Sequence, residues 1–375
     1  MRKKRKLISL IIPSRFNMLP KVSIIWLNYN SLNNIDIIKF SLEKCMNLDY
    51  PNYEVIVVDN GSTDGSFKVI KEIAEKKNNF KVIRLEENLG FCGGNNVGYR
   101  ARDPNSKYVV LLNNDCIPEE NSLLKLVEFM EEKTEIGASQ GIVLNYNNND
   151  KIDTAGGFVF EFLASHVFLQ GEDLSLVKNI KKPFYISYAD GCYSIYRVSA
   201  IKKIRGESLF YDEFFSYFDD NFIGLKLWNG GFKVACLPEV VGEHIRSMSF
   251  GKKMYFQEYL GLRGHIALLY ITNSYYNKIL FKYALYMALL FRDGYRVSPA
   301  KFKLLIRAIR DGKNLGKMLR ERGEFININN IPKIRYDLKN LLLGLLLSHR
   351  SSIAKEFHKI GNRWILERID NFYIE

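Results

Sequence analysis

Val55-Ile56-Val57-Val58-Asp59-Asn60-Gly61-Ser62-Thr63-Asp64-Gly65-Ser66 changes character abruptly at Asp59. Four apolar, β-branched residues suit a strand buried on both faces. A polar, glycine-containing turn follows. Val69, Ile70, Ile73 and Ala74 then recur at helical spacing, with Asp64 or Ser66 placed to cap the helix. The same reading extends outward. Val22–Leu27 is an earlier apolar run and Val109–Leu112 a later one. Strands separated by helices predict a parallel α/β sheet with crossover connections, and such sheets bind ligands at the carboxyl ends of their strands. Those ends read Asn28-Tyr29-Asn30, Asp59-Asn60-Gly61 and Asn113-Asn114-Asp115. All are polar, which points to a site there.

Further along, Pro118 predicts the start of a helix carrying Leu123, Leu124, Val127 and Met130 on one face. Asn145–Asp150 reads as a polar loop. From Ile152 to Gly242, strands, glycines and aromatics mix without a clear period, and no topology follows. Beyond Met254 the chain becomes helical and basic. One apolar face runs through Ile279, Tyr283, Tyr286, Met287 and Leu290, another through Leu338, Leu341, Leu342, Leu345 and Leu346.

Composition sets limits on these readings. With 375 residues, 47% of them hydrophobic, the chain can bury a sizeable core and is long for one domain. The net charge of +13 lies entirely after Phe250, where 23 Lys and Arg face 10 Asp and Glu; the preceding part carries 31 of each. A localised excess predicts a basic face toward anionic lipid or nucleic acid. The five cysteines (Cys45, Cys92, Cys116, Cys192, Cys236) are scattered and lack a Cys-x-x-Cys pair. This excludes a disulfide framework or a structural zinc knuckle and predicts a reducing, cytoplasmic setting. Met1–Lys6 is basic and precedes a short apolar run ending at Pro13, without a cleavage pattern, so residues 1–20 read as a surface extension. No run reaches the roughly 18 apolar residues of a membrane span.

Several segments carry chemistry. Asp59 can accept hydrogen bonds from ribose hydroxyls or a base N–H, or can simply cap its turn. Asn88–Gly98 is a glycine-rich loop entering a helix, where backbone approaches ligands closely and a helix start favours anions. Asp115 supplies a carboxylate for a hard divalent cation that would neutralise a diphosphate, with Asn113 beside it. Phe214–Phe222 sets the adjacent acids Asp219 and Asp220 among aromatics, which raises at least one pKa, as a general base for a hydroxyl requires. The same pair could instead cap the helix running to Trp228. His244, beyond a strand-like Val234–Val241 run, is a candidate third metal ligand.

In this order the segments resemble the family 2 glycosyltransferases, specifically the rhamnosyltransferase-like enzymes of cell-surface polysaccharide assembly. Val22–Asn30 is similar to the family's opening strand with its Tyr-Asn end. Val57–Gly65 resembles its nucleotide motif, and Asn88–Gly98 its glycine-rich loop. Leu112–Asp115 stands where the family has its metal-binding Asp-x-Asp, Phe218-Asp219-Asp220 where it has an aromatic-Glu-Asp motif, and His244 where a metal-binding histidine is common. The match covers about Lys21 to Arg263. Departures are Asn113 for the first Asp, Asp219 for Glu, Phe222 for a further acid, Lys226 for Arg and Gly264 for Asn.

The resemblance implies a GT-A fold, an α/β architecture with a mixed, largely parallel sheet. It implies a catalytic domain over 21–250, with a nucleotide-binding half (21–115) and an acceptor half (116–250), then a basic helical region over 251–375. It implies an inverting transfer from a nucleotide-sugar, dTDP-rhamnose or a UDP-sugar, to a saccharide or lipid-linked acceptor. Asp220 would be the base, with Asp219 beside it. Asp115 and His244 would hold Mg²⁺ or Mn²⁺. Leu27, Tyr29, Asp59, Gly90, Asn95, Asn113 and Asn114 would line the donor site, and Asp190, Gly191 and Cys192 the sugar and acceptor region. Trp26 reads as core. The basic tail would dock on the cytoplasmic face of an anionic membrane. A nucleotidyltransferase would need a basic glycine-rich signature after the first strand, which Asn28–Asn33 lacks, and no nucleic-acid recognition motif is present.

Overall fold

β1 (Val22–Asn28) is buried along both faces, as its composition predicts, and Trp26 is fully enclosed with its indole N–H donating to Ser41 Oγ at 3.2 Å. A computed structural model describes residues 19–245, 254–274, 299–335 and 352–375. The readings for residues 1–18 and for the Ile279–Leu290 and Leu338–Leu346 faces lie outside the described residues.

β1 is followed by α1 (Ile35–Cys45), β2 (Tyr53–Asp59), α2 (Ser66–Ala74), β3 (Phe80–Arg84), α3 (Gly90–Arg100) and β4 (Tyr108–Asn113). The four strands are parallel in the order β3-β2-β1-β4. The chain therefore moves outward from β1 to β3 and returns to the opposite side of β1. The reversal opens between β1 and β4, where Leu27 pairs with Asn113, and such a crevice is where open α/β sheets bind ligands.

The glycines of α3 serve packing. A Cβ added at Gly94 would lie 2.5 Å from Leu27 Cδ1, and one at Gly98 would lie 2.5 Å from Ile25 Cγ2. The helix rides directly on β1. Its first turn does not stand open to an anion throughout, because the Cys92 N–H donates to Phe215 O at 3.0 Å.

Beyond β4 come β5 (Cys116–Pro118), α4 (Ser122–Glu132), β6 (Ile136–Asn145), β7 (Asn148–Thr154), β8 (Gly157–Phe160), β9 (Ser165–Val167), β10 (Phe184–Tyr185), β11 (Tyr193–Arg197), α5 (Val198–Arg205), α6 (Asp219–Asn229) and β12 (Lys233–His244). The sheet becomes mixed in the order β10-β12-β6-β11-β4, with β5 on β12 and β7 on β6. β11 runs antiparallel to β4 and β6, and β12 parallel to β6.

Two local readings change. Pro118 ends a strand instead of opening a helix, because Cys116–Pro118 pairs with Gly242–His244; the helix begins at Ser122. Asn145–Asp150 is mostly a hairpin, with only Tyr146 and Asn147 between its strands.

Past the sheet lie α7 (Met254–Ile271), α8 (Pro299–Glu321), β13 (Lys333–Ile334) and α9 (Ser352–Leu366), with β13 joining β8 and β9 in a small second sheet. Gly312 and Gly316 let α8 lie against α7, since a Cβ at either would come within 2.5 Å of Arg263 O or Tyr270 Cβ. Ile266, Leu268, Leu315 and Leu319 join the core that contains Phe222 and Ile223 of α6. Buried Glu324 accepts from Tyr211 and Lys226, tying this region to α6 by charge as well as by apolar burial.

Candidate active site

Three strand ends meet at Asn28, a fully buried residue. Its Nδ2 donates to Asp59 Oδ1 at 2.9 Å and Ser62 Oγ at 3.2 Å, while its Oδ1 accepts from Ser31 Oγ at 2.5 Å and Asn114 Nδ2 at 3.1 Å. Asp59 Oδ2 accepts the Ser62 N–H at 3.1 Å. Asp59 therefore caps its turn, and its carboxylate keeps lone pairs beyond these two bonds. Leu27 and Tyr29 flank this hub half-buried. Asn60 fixes the next loop, donating to Gly90 O at 3.0 Å and accepting from the Leu89 N–H at 3.0 Å. Gly90 has φ +74°, and a Cβ there would lie 2.4 Å from Phe215 O. Asn95, by contrast, turns back onto its own helix, donating to Phe91 O at 2.9 Å.

At the end of β4, Asp115 and His244 come together although 129 residues separate them, with Asp115 Oδ1 3.0 Å from His244 Nε2. β12 delivers the histidine by pairing His244 with both Cys116 and Asn145. The Ile245 N–H donates to Asp115 O at 3.2 Å. On the other side of the ring, Nδ1 lies 2.9 Å from Oδ2 of Asp153, a residue the sequence reading did not single out. Burial alone would pull the His244 pKa down. Hydrogen bonds to Asp115 and Asp153, with their charges, outweigh it and lift the pKa to about 9.

A buried carboxylate oxygen and imidazole nitrogen 3.0 Å apart are donors that would suit a divalent cation. Cys192 Sγ, an Asp153 oxygen and a His244 ring nitrogen also lie within 4.8 Å of one another. Cys192 begins the approach to β11, and its carbonyl accepts from the Asn113 N–H at 2.9 Å. Gly191 faces the Phe91 ring, and Asp190 accepts the Cys192 N–H at 3.1 Å.

Asp219 and Asp220 open α6. Burial, reinforced by the charge of Asp190, raises the Asp219 pKa to about 7. Burial and the charges of Asp219 and Asp190 hold Asp220 well above the usual carboxylate range. Their surroundings thus lift both acids above the ordinary carboxylate range. The segment before them is contorted. Phe215, Tyr217 and Phe218 all have positive φ, at 64°, 68° and 65°, a region that aromatic side chains rarely adopt. Arg263 clamps this segment by donating to the Glu213 and Phe214 carbonyls, and Phe218 stacks on His265 with centroids 5.3 Å apart.

Comparison with known proteins agrees with this geometry. Residues 23–205 match the family described as glycosyl transferase family 2. An uncharacterized glycosyltransferase of Haemophilus influenzae is 32% identical over 119 residues, covering 32% of this chain and 35% of that one. A putative teichuronic acid biosynthesis glycosyltransferase of Bacillus subtilis is 30% identical over 118 residues, covering 32% and 45%. A dolichyl-phosphate-saccharide glucuronosyltransferase of Methanococcus voltae is 25% identical over 220 residues, covering 56% and 63%. The chain thus spans about a third to three-fifths of the length of these curated relatives. Among solved structures, GalNAc-T7 with UDP, GalNAc and Mn²⁺ superposes with a TM-score of 0.57 at 15% identity, over 82% of this chain and 56% of that one. Residues 1–349 of Staphylococcus aureus TarS in complex with UDP-GlcNAc give 0.52 at 16% identity, over 94% and 92%. The fold is GT-A.

Proposed function

We propose, from the family 2 glycosyltransferase domain over residues 23–205, that the chain transfers a sugar with inversion from a nucleoside-diphosphate donor to a saccharide hydroxyl. The observation that supports this most directly is the presence of two centres that share Asp190 as a charged neighbour. One is the Asp115–His244 pair just after β4; the other is the acid pair that opens α6, with Asp219 buried and Asp220 half-buried. Asp190 acts electrostatically on Asp219, on Asp220 and on Cys116 next to Asp115, which sets the two centres within one electrostatic neighbourhood.

Asp220 accepts the proton of the acceptor hydroxyl as that oxygen attacks the anomeric carbon, and Asp219 and Asp190 keep its affinity for that proton high. Leu27, Tyr29 and Asp59 hold the base and ribose. Gly90, Asn113 and Asn114 line the donor side, while Asp190, Gly191 and Cys192 face the sugar and acceptor. Asp115 and His244 would hold Mg²⁺ or Mn²⁺, which would supply positive charge for the diphosphate leaving group. The donor is dTDP-rhamnose or a UDP-sugar, and the acceptor is a lipid-linked saccharide of cell-surface polysaccharide assembly. The likeness to the teichuronic acid and dolichyl-phosphate glycosyltransferases supports that class.

The domain division follows the same reading, with the catalytic domain over 21–250 and the helical region after it. The exposed face of α8 carries Lys303, Arg307, Arg310, Lys317 and Arg320, and we assign this stripe to docking on an anionic leaflet at about 1 kcal/mol per cation. No helix among the described residues is long and apolar enough to cross a membrane.

The test is thermal stabilisation by UDP, dTDP and GDP, each with and without Mn²⁺, in the wild type and in Asp115→Ala. A nucleotide at about 100 times its Kd adds about 2.7 kcal/mol. The expected result is a Mn²⁺-dependent shift for one nucleotide that the variant loses. No shift with any nucleotide would refute the proposal.

A further inference from the structure

His244 is held between two buried carboxylates, Asp115 on Nε2 at 3.0 Å and Asp153 on Nδ1 at 2.9 Å. A neutral imidazole has one N–H and one lone pair. A cation on the Asp115 side needs the Nε2 lone pair, so the ring proton must sit on Nδ1. What decides that tautomer is the hydrogen-bond partner on the other side of the ring, and that partner is Asp153.

The backbone is built to bring Asp153 there. β6 and β7 pair Val143 with Thr154 and then Leu144 with Ile152, so the register slips and Asp153 is the extra residue of a β-bulge. A bulge re-aims a side chain that a regular ladder would turn to the other face. Here Ile152, Asp153 and Thr154 are all buried, and Asp153 is 2% exposed. The chain is pinned immediately afterwards. The Gly157 N–H donates to Tyr188 O at 3.0 Å, and a Cβ at Gly157 would stand 2.0 Å from the Tyr188 ring. The histidine is equally fixed, because its carbonyl accepts the Tyr146 N–H at 3.1 Å from the turn of the same hairpin. Carboxylate and imidazole thus come from β7 and β12, two strands that both pair with β6 and are fixed through it.

We infer that Asp153 is a positioning residue that accepts the Nδ1–H of His244 and so presents the Nε2 lone pair to a divalent cation beside Asp115. The inference rests on the metal-dependent reading above. It predicts that Asp153→Asn, which keeps the shape but weakens the acceptor, binds Mn²⁺ about 10- to 100-fold more weakly.

The experiment titrates MnCl₂ into wild type and Asp153→Asn and follows free Mn²⁺ by electron paramagnetic resonance. The melting temperature of each ion-free protein serves as the folding control. In parallel, ¹⁵N-histidine spectra of the wild type with Mg²⁺, with His244→Gln to assign the signal, report which ring nitrogen carries the proton. An Nδ1–H tautomer together with weakened Mn²⁺ binding in a folded variant is the expected result. Equal Mn²⁺ affinity in the two proteins overturns the inference and leaves the metal reading standing. A wild type that binds no Mn²⁺ overturns both. If Asp153→Asn does not fold, the wild-type spectrum decides, and an Nε2–H tautomer in the presence of Mg²⁺ overturns the inference.

Discussion

Asn28→Asp changes one donor into an acceptor at the centre of the strand-end hub without altering its shape. The Oδ1 side keeps its donors, Ser31 and Asn114. The other side sets a carboxylate oxygen against Asp59 Oδ1 at the 2.9 Å now spanned by a hydrogen bond. Two ionised groups at that distance repel by about 6 kcal/mol at an effective dielectric constant near 20. Proton uptake is cheaper. Holding a proton at pH 7 on a group that would lose it near pH 3.9 in the unfolded chain costs about 4 kcal/mol, and at pH 5 about 1.5 kcal/mol. The hydroxyl of Ser62, turning to donate, reduces this, so the expected loss at pH 7 is about 2–4 kcal/mol.

The sign follows from proton linkage. The folded variant binds the extra proton more tightly than the unfolded one, so its deficit grows as pH rises above the unfolded pKa and narrows as pH falls. At about 2.1 cal/mol/K per residue, a 375-residue chain has a melting entropy of about 0.8 kcal/mol/K, and the deficit at pH 7 lowers Tm by about 3–5 °C. Differential scanning calorimetry of both proteins at pH 5 and pH 7 tests this. A variant melting with wild type at pH 7, or a gap of the same size at both pH values, would refute the hub as described.

Two further outcomes follow from the proposed function. Asp220→Asn should lower kcat by about 10²- to 10⁴-fold in a nucleotide-release assay, with the wild-type rate rising with pH above the ordinary carboxylate range, because burial and the charges of Asp219 and Asp190 raise Asp220; the ion-free fold should lose stability as pH rises from about 4, since the folded acids hold protons the unfolded chain gives up, Asp219 up to about 7. Full activity in both Asp219→Asn and Asp220→Asn would remove the base assignment. Sedimentation with vesicles should increase with their anionic lipid content and fall at high salt, and binding indifferent to both would rule out the basic stripe of α8 as a membrane contact.

β1, β2 and β4 were legible because they are short, β-branched and buried on both faces, and each ends abruptly in polar residues. Asp59 and Asp115 stood out for that reason, the Asp219-Asp220 pair by its aromatic neighbours, and His244 by its scarcity and place. The glycines of α3 were visible, but their reason was not. A turn glycine and a packing glycine look alike until Leu27 and Ile25 are seen against them. Pro118 misled because a proline opening a helix and one ending an edge strand carry the same local signal, and only the distant Gly242–His244 segment decides. Asp153 was illegible for a deeper reason. Its role depends on a register slip between two strands and on a histidine 91 residues away, and neither leaves a period in the chain. Asn28 was seen as a polar strand end, but its convergence on Ser31, Asp59, Ser62 and Asn114 is a property of the folded sheet.

The Phe215 carbonyl gives the contorted 215–218 segment a mechanical meaning. One peptide group caps helix α3 through Cys92 and lies four residues before Asp219. Gly90 closes over the same group with no room for a methyl, and Arg263 grips the peptide groups immediately before it. α3 and the stretch that leads into the acids are therefore fastened together twice, at this peptide group and again where Asn96 donates to Phe210 O at 2.9 Å and Asp212 Oδ1 at 2.7 Å, so the place of the acids is set by the same contacts that set the start of α3.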